Sequence, residues 1–125
     1  MRKLLAVIAV SCFSLAGGLT VADSRPKTLS DFQPVANTYP VSPDEQEVML
    51  REQYDFYVFK LVNRTGKCLG IALANGKTRY YQRLDDIGCD PDVDHVSLTP
   101  SELDGYITIN FYHQTINTGR MTVHQ

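Results

Sequence analysis

Residues 54–62 read YDFYVFKLV, and no other stretch restricts the fold as much. Aromatic and β-branched residues dominate it, which favours a strand. Its two faces are both apolar: Tyr54, Phe56, Val58 and Val62 share one parity, and Tyr57, Phe59 and Leu61 share the other. A strand with water on one side alternates apolar with polar residues, so this pattern predicts a strand covered on both sides. The rest of the chain must supply two covers.

The first residues are not one of them. MRKLLAVIAVSCFSLAGGLTVADS places Arg2 and Lys3 ahead of an apolar run from Leu4 to about Leu19, with small residues at Gly17, Gly18 and Ala22. This is the pattern of a secretory signal peptide, residues 1–22, with a bacterial look. Ser11, Ser14, Gly17, Gly18 and Thr20 interrupt a run already short for a membrane span, so stable membrane insertion is not expected. A lipid-attachment reading at Cys12 is the minor alternative. Loss of residues 1–22 removes Arg2 and Lys3 from 12 basic residues and none of the 14 acidic ones, so the formal net charge moves from −2 to −4. That average does not attract a phosphate backbone, and nucleic acid is not an expected partner.

Cleavage also removes one of three cysteines. The remaining Cys68 and Cys89 form an even pair without CxxC spacing, which in an exported chain points to a disulfide. The expected localisation is periplasmic or secreted.

Residues 23–42 hold Pro26, Pro34 and Pro40 with few large apolar groups and read as an extended arm. Ser42-Pro43-Asp44-Glu45 has a capping serine, a proline at the first helical position and a glutamate three residues after the cap, so a short helix is predicted over Pro43–Gln53. Beyond the arm, residues 43–125, the helix included, are expected to form a single small domain. CLGIAL and KTRYYQRL flank Asn75-Gly76 as a predicted hairpin. Asp104-Gly105 marks a turn before YITINFYH, whose alternation of Ile107, Ile109 and Phe111 with Tyr106, Thr108 and Asn110 predicts a half-buried strand. Asn117-Thr118-Gly119 reads as another turn before a last strand near Arg120–Val123. The fold class is mainly β: a small disulfide-stapled domain with an N-terminal arm and one short helix.

No arrangement selects a catalytic centre. Asp90, Asp92 and Asp94 open like a calcium loop, but the sixth and twelfth positions are His95 and Ser101 where such a loop needs glycine and glutamate. His95, His113 and His124 lack zinc spacing, and His113 falls on the buried parity of its strand. No G-x-S-x-G or H-E-x-x-H occurs. An enzyme would need His95 to converge with Asp94 or Glu102. Neither metal nor cofactor is expected. Asn63-Arg64-Thr65 is a glycosylation sequon of relevance only in a eukaryotic secretory pathway. The recognition candidates are Arg79, Tyr80, Tyr81 and Arg83, because tyrosine and arginine combine large or planar faces with hydrogen-bonding groups.

FKLV, GKCLG and CDPDVDHVSLTPSELDGYITI, with DFQPVANTY upstream, resemble the C subunit of cytolethal distending toxins. That resemblance implies a ricin-type, trefoil-like lectin subunit that helps a toxin bind host-cell glycans and carries no catalysis. It also implies that Cys68 and Cys89 staple one lobe, and that the arm, including Phe32, Gln33, Pro34 and Val35, packs against partner toxin subunits. The chain is shorter than three full lobes require and has no tryptophan, so it has no Q-x-W repeat. The expected function is a non-catalytic binding module. The alternative is a periplasmic or secreted inhibitor or immunity protein that blocks a target enzyme with the acidic loop.

Overall fold

The computed structural model describes residues 28–85 and 89–125. The predicted signal peptide and Cys12 lie outside the described residues. Among the described residues eight strands follow a 3₁₀ turn at Leu29–Asp31: β1 Gln33–Pro34, β2 Gln46–Gln53, β3 Phe56–Val62, β4 Cys68–Asn75, β5 Tyr80–Leu84, β6 His95–Pro100, β7 Tyr106–His113 and β8 Ile116–His124. They form a five-stranded sheet in the order β1-β5-β4-β3-β2 and a three-stranded sheet in the order β6-β7-β8. The fold is mainly β, as the sequence predicts. Two sheets facing each other differ from the trefoil-like packing that the resemblance implies.

β3 is covered on both sides. On one face Phe56 and Val58 join Ile71 and Leu73 of β4 against Val96, Leu98, Ile107, Ile109 and Phe111 of the smaller sheet. On the other, Tyr57, Phe59 and Leu61 pack with Ala72, Ala74 and Tyr81 under Leu29 and Phe32 of the arm. The Phe32 ring meets Tyr57 edge-on at 5.2 Å between centroids. The arm therefore caps its own sheet. Gln33 and Pro34 pair in parallel with Tyr80 and Tyr81, held by Gln33 N–H to the Arg79 carbonyl at 2.8 Å and Val35 N–H to that of Tyr81 at 2.9 Å. Pro34 between them lacks an N–H, which an edge strand tolerates.

The predicted helix over Pro43–Gln53 is a strand from Gln46 onward. Its start signals do form a turn: Ser42 N–H donates to the Glu45 carboxylate at 2.7 Å and Asp44 N–H to the Ser42 hydroxyl at 3.1 Å. That satisfies one turn only. Beyond it Val48, Met49 and Leu50 are consecutive and make no helical stripe, whereas residues 46–53 pair antiparallel with the whole of β3. Sheet pairing overrides local capping.

Three further expectations shift. Tyr54 is not in the strand: with Asp55 it makes the β2–β3 turn, both residues having positive φ, 59° and 58°. At Asn75-Gly76 the positive φ belongs to Arg79, at 62°, and the β4–β5 loop closes through Arg79 N–H to the Asn75 carbonyl at 2.8 Å. A Cβ at Gly76 would stand 2.2 Å from an Asp55 carboxylate oxygen, so a larger residue there would displace that side chain. Asn117-Thr118-Gly119 lies inside β8 at a register shift opposite Phe111 and Tyr112. The real turn is Gln114-Thr115, with Gln114 at φ 56°.

Cys68 and Cys89 are paired, with Cα atoms 5.5 Å apart, and tie the start of β4 to the connection between the sheets. Lys60 acts nearby, its Nζ donating to the carbonyls of Pro91 at 3.0 Å and Val93 at 2.8 Å. Replacing both cysteines with serine should lower stability by about 3 kcal/mol, the value expected for opening a loop of this length. Urea unfolding of the oxidised chain against the double variant measures it.

Candidate functional site

The four recognition candidates do not converge. Alternation along β5 sends Tyr81 and Arg83 to the arm side and Tyr80 and Gln82 to the opposite side. Tyr81 is 3% exposed, its hydroxyl donating to the Tyr39 carbonyl at 3.4 Å, and burial pushes the phenol's pKa up. The Arg83 guanidinium makes a two-pronged pair with Glu45, the side chains being 13% and 7% exposed, and its Nε donates to Asp85 at 2.7 Å. Arg79 and Tyr80 stay exposed and form no common surface with the other two. Phe32 is buried within the chain, whereas Gln33 and Val35 are exposed and Pro34 is half-buried.

Hydrogen bonds from Arg83 hold the Glu45 carboxyl below its ordinary pKa. A depressed carboxylate pKa contributes stability that is complete above the unfolded value, about 4.3, and is lost as pH falls through the folded value. Arg83→Met should cost about 3 kcal/mol at neutral pH, because it leaves Glu45 charged and unpaired in a mostly covered position. Glu45→Gln should flatten the loss of stability below pH about 4.3. Chemical denaturation between acid and neutral pH reads both.

The aspartates serve the backbone. Asp90 accepts Asp92 N–H at 2.9 Å. Asp94 accepts Gln114 N–H at 2.9 Å and meets the His95 ring at 2.5 Å, contacts that lower its pKa in that order of importance. His113 is not a core histidine: it stands at the strand end, 42% exposed, with Nδ1 2.8 Å from the Asp92 carbonyl. His95 does meet Asp94, yet neither His95 nor His113 hydrogen-bonds a serine, threonine or cysteine among the described residues. Among those residues no three His, Cys, Asp or Glu side chains gather as metal ligands. The pair orients an imidazole and fixes the β7–β8 turn.

The side chains that do gather lie on the outer face of the three-stranded sheet. β7 buries Ile107, Ile109 and Phe111 and turns Tyr106, Thr108, Asn110 and Tyr112 outward. Register aligns these in rungs across the sheet. Tyr112 faces His95 and stacks on it, with centroids 5.0 Å apart and planes 7° from parallel. Asn110 lies between Ser97 and Arg120, and Thr108 between Thr99 and Thr122. Thr108 and Thr122 hydroxyls are 3.0 Å apart, and Asn117 donates to Asn110 at 3.4 Å. Tyr106 meets His124 edge-on at 4.9 Å. Between the 101–103 loop and these rungs lies a shallow trough of about 500 Å³, lined by Thr99, Thr108, Asn110, Arg120 and Glu102.

This face combines ring systems at both ends with hydroxyl and amide groups between them. Arg120 is its one permanent charge among the strand positions. The outward alternation of β7 was legible, but His95, Arg120 and His124 were not joined to it, because the bulge in β8 reads as a turn.

Comparison of the chain with family models, curated proteins and solved structures gives no match. The disulfide suggests an oxidising compartment outside the cytoplasm. Among the described residues no helix is long and apolar enough to cross a membrane.

Proposed function

We propose that this protein is an exported, non-catalytic binding module that takes carbohydrate on the outer face of its three-stranded sheet. One observation carries the reading: the rungs from Tyr106 to Tyr112 put aromatic rings at both ends of a row of hydroxyl and amide groups, with no carboxylate on the strands between. Sugars present C–H faces that pack on aromatic rings and hydroxyls that exchange hydrogen bonds with Thr, Asn and Arg. Along β7 the two tyrosines are six residues apart, roughly 20 Å at strand rise, a span that suits an oligosaccharide better than a single ring.

The sequence resemblance to toxin C subunits supports the same role, a cell-surface binding subunit without catalysis, and the sheet face is then its host-directed surface. The recognition surface moves from the β4–β5 hairpin to β7 because Tyr81 and Arg83 already serve the arm. The strand positions of this face carry one charge, Arg120, with Glu102 across the trough, so neutral sugars whose hydroxyls bond to both are favoured.

A glycan array probed with the labelled exported chain should show a defined set of bound oligosaccharides. Tyr112→Ala and Arg120→Ala should each weaken the best of them by about tenfold or more, while Arg79→Ala and Tyr80→Ala leave it unchanged. Loss of binding only in the Arg79 and Tyr80 variants would return the site to the hairpin. Absence of glycan binding together with inhibition of a co-purifying enzyme would replace this reading with the inhibitor role.

A further inference from the structure

A second feature, independent of the carbohydrate reading, lies at the side of the sandwich. Five strands face three. The sheets approach each other at β2 and β6, and at the other side β8 is the edge strand of its sheet among the described residues, with an opening shared between its residues Val123 and His124 and the residues Tyr80 and Gln82 of β5. The backbone groups along the far side of β8 have no strand partner among the described residues.

Under that edge are two openings. One, of about 350 Å³, is walled by Ile71, Val93, Phe111 and Met121 and reaches Gly119. The other, of about 260 Å³, lies beside Val123, Phe56 and Leu73. Gly119, Met121 and Val123 share the inward parity of β8, so both openings lie on the track of one adjoining strand. Gly119 sits beside the register shift of β8, and a Cβ there would meet nothing within 4 Å. The glycine thus leaves open space on the inward side of the bulge, where another group can approach.

We propose that β8 accepts an extended segment of a partner protein as a fourth strand of its sheet, with apolar side chains at alternate positions entering the openings beside Gly119 and Val123. Backbone pairing supplies affinity in such strand addition, and pockets for alternate side chains supply specificity. The outward positions of β8 carry Arg120, Thr122 and His124 and no carboxylate, so the partner segment is acidic on its outward side. A second copy of this chain fits less well, because its own Met121 and Val123 already pack on its own core and cannot fill these openings.

The test uses the isotope-labelled exported chain with its disulfide intact and a synthetic peptide as long as β8, alternating valine with glutamate. Amide shifts and new hydrogen-exchange protection should appear along Ile116–His124. Gly119→Val should raise the unfolding midpoint and weaken the peptide by about tenfold, by filling the opening with the chain's own atoms. Arg120→Glu, which leaves the interior untouched, should reverse the preference towards a peptide alternating valine with lysine. The proposal is overturned if β8 amides do not respond, if the peptide maps to β1, β2 or β6, or if folded Gly119→Val binds as well as the parent. Protection of β8 that grows with protein concentration and without peptide would make a second copy the occupant and also overturn it.

Discussion

The structure depends on burying β3 on both of its faces. Tyr57, Phe59, Leu61, Phe56 and Val58 are all at most 3% exposed, and full burial of side chains of this size contributes about 1.5–3 kcal/mol each. A sheet containing such a strand cannot leave either face to water. One cover is the three-stranded sheet, whose inward Val96, Leu98, Ile107 and Ile109 supply the opposing layer. The other is the arm, whose Leu29 and Phe32 complete a separate cluster.

Each cover is fastened by its own polar device. On the arm side the Arg83–Glu45 pair links β5 to the turn before β2, so the chain that crosses the sheet is held at its far end. On the sandwich side the Cys68–Cys89 bridge and the Lys60 ammonium hold the connection that carries the chain from one sheet to the other. This division explains why two of the residues that sequence reasoning selected for recognition are structural. A tyrosine and an arginine on one parity of β5 face the arm, where a large ring and a charged pair are needed. The proposed recognition groups therefore lie elsewhere, on the outer face of β6-β7-β8, and β8 is the edge strand of that sheet among the described residues.

Much of the frame was legible in the sequence and the reasons are particular. β3 declared itself through two apolar parities, β7 through strict alternation, and the cysteine pair through Cys68 and Cys89 being an even pair without CxxC spacing. The helix failed because Ser42 and Glu45 specify a single turn and leave the conformation of Gln46 onward open. Residues 46–53 become a strand because β3 offers them a partner along its whole length, a long-range fact absent from any local window. The Asn75-Gly76 hairpin does form, with its turn over residues 76–79 and the positive φ at Arg79, whereas the Asn117-Thr118-Gly119 turn failed. Gly119 sits at a bulge, which the pairing of β7 with β8 specifies. The proposed site was half legible: the alternation of β7 turned Tyr106, Thr108 and Asn110 outward, while the rungs that join them to His95, Arg120 and His124 exist only through register.

The assignment of surfaces turns on the docked arm, since a free arm would expose Tyr57, Phe59 and Tyr81. Native-state amide hydrogen exchange on the whole chain tests it most directly. The amides of Gln33 and Val35, bonded to Arg79 and Tyr81, should be protected together with those of β5, and β3 should exchange slowest. Arm amides exchanging at the rate of an unstructured peptide while β3 stays protected would contradict a docked arm, and would return the arm to partner binding.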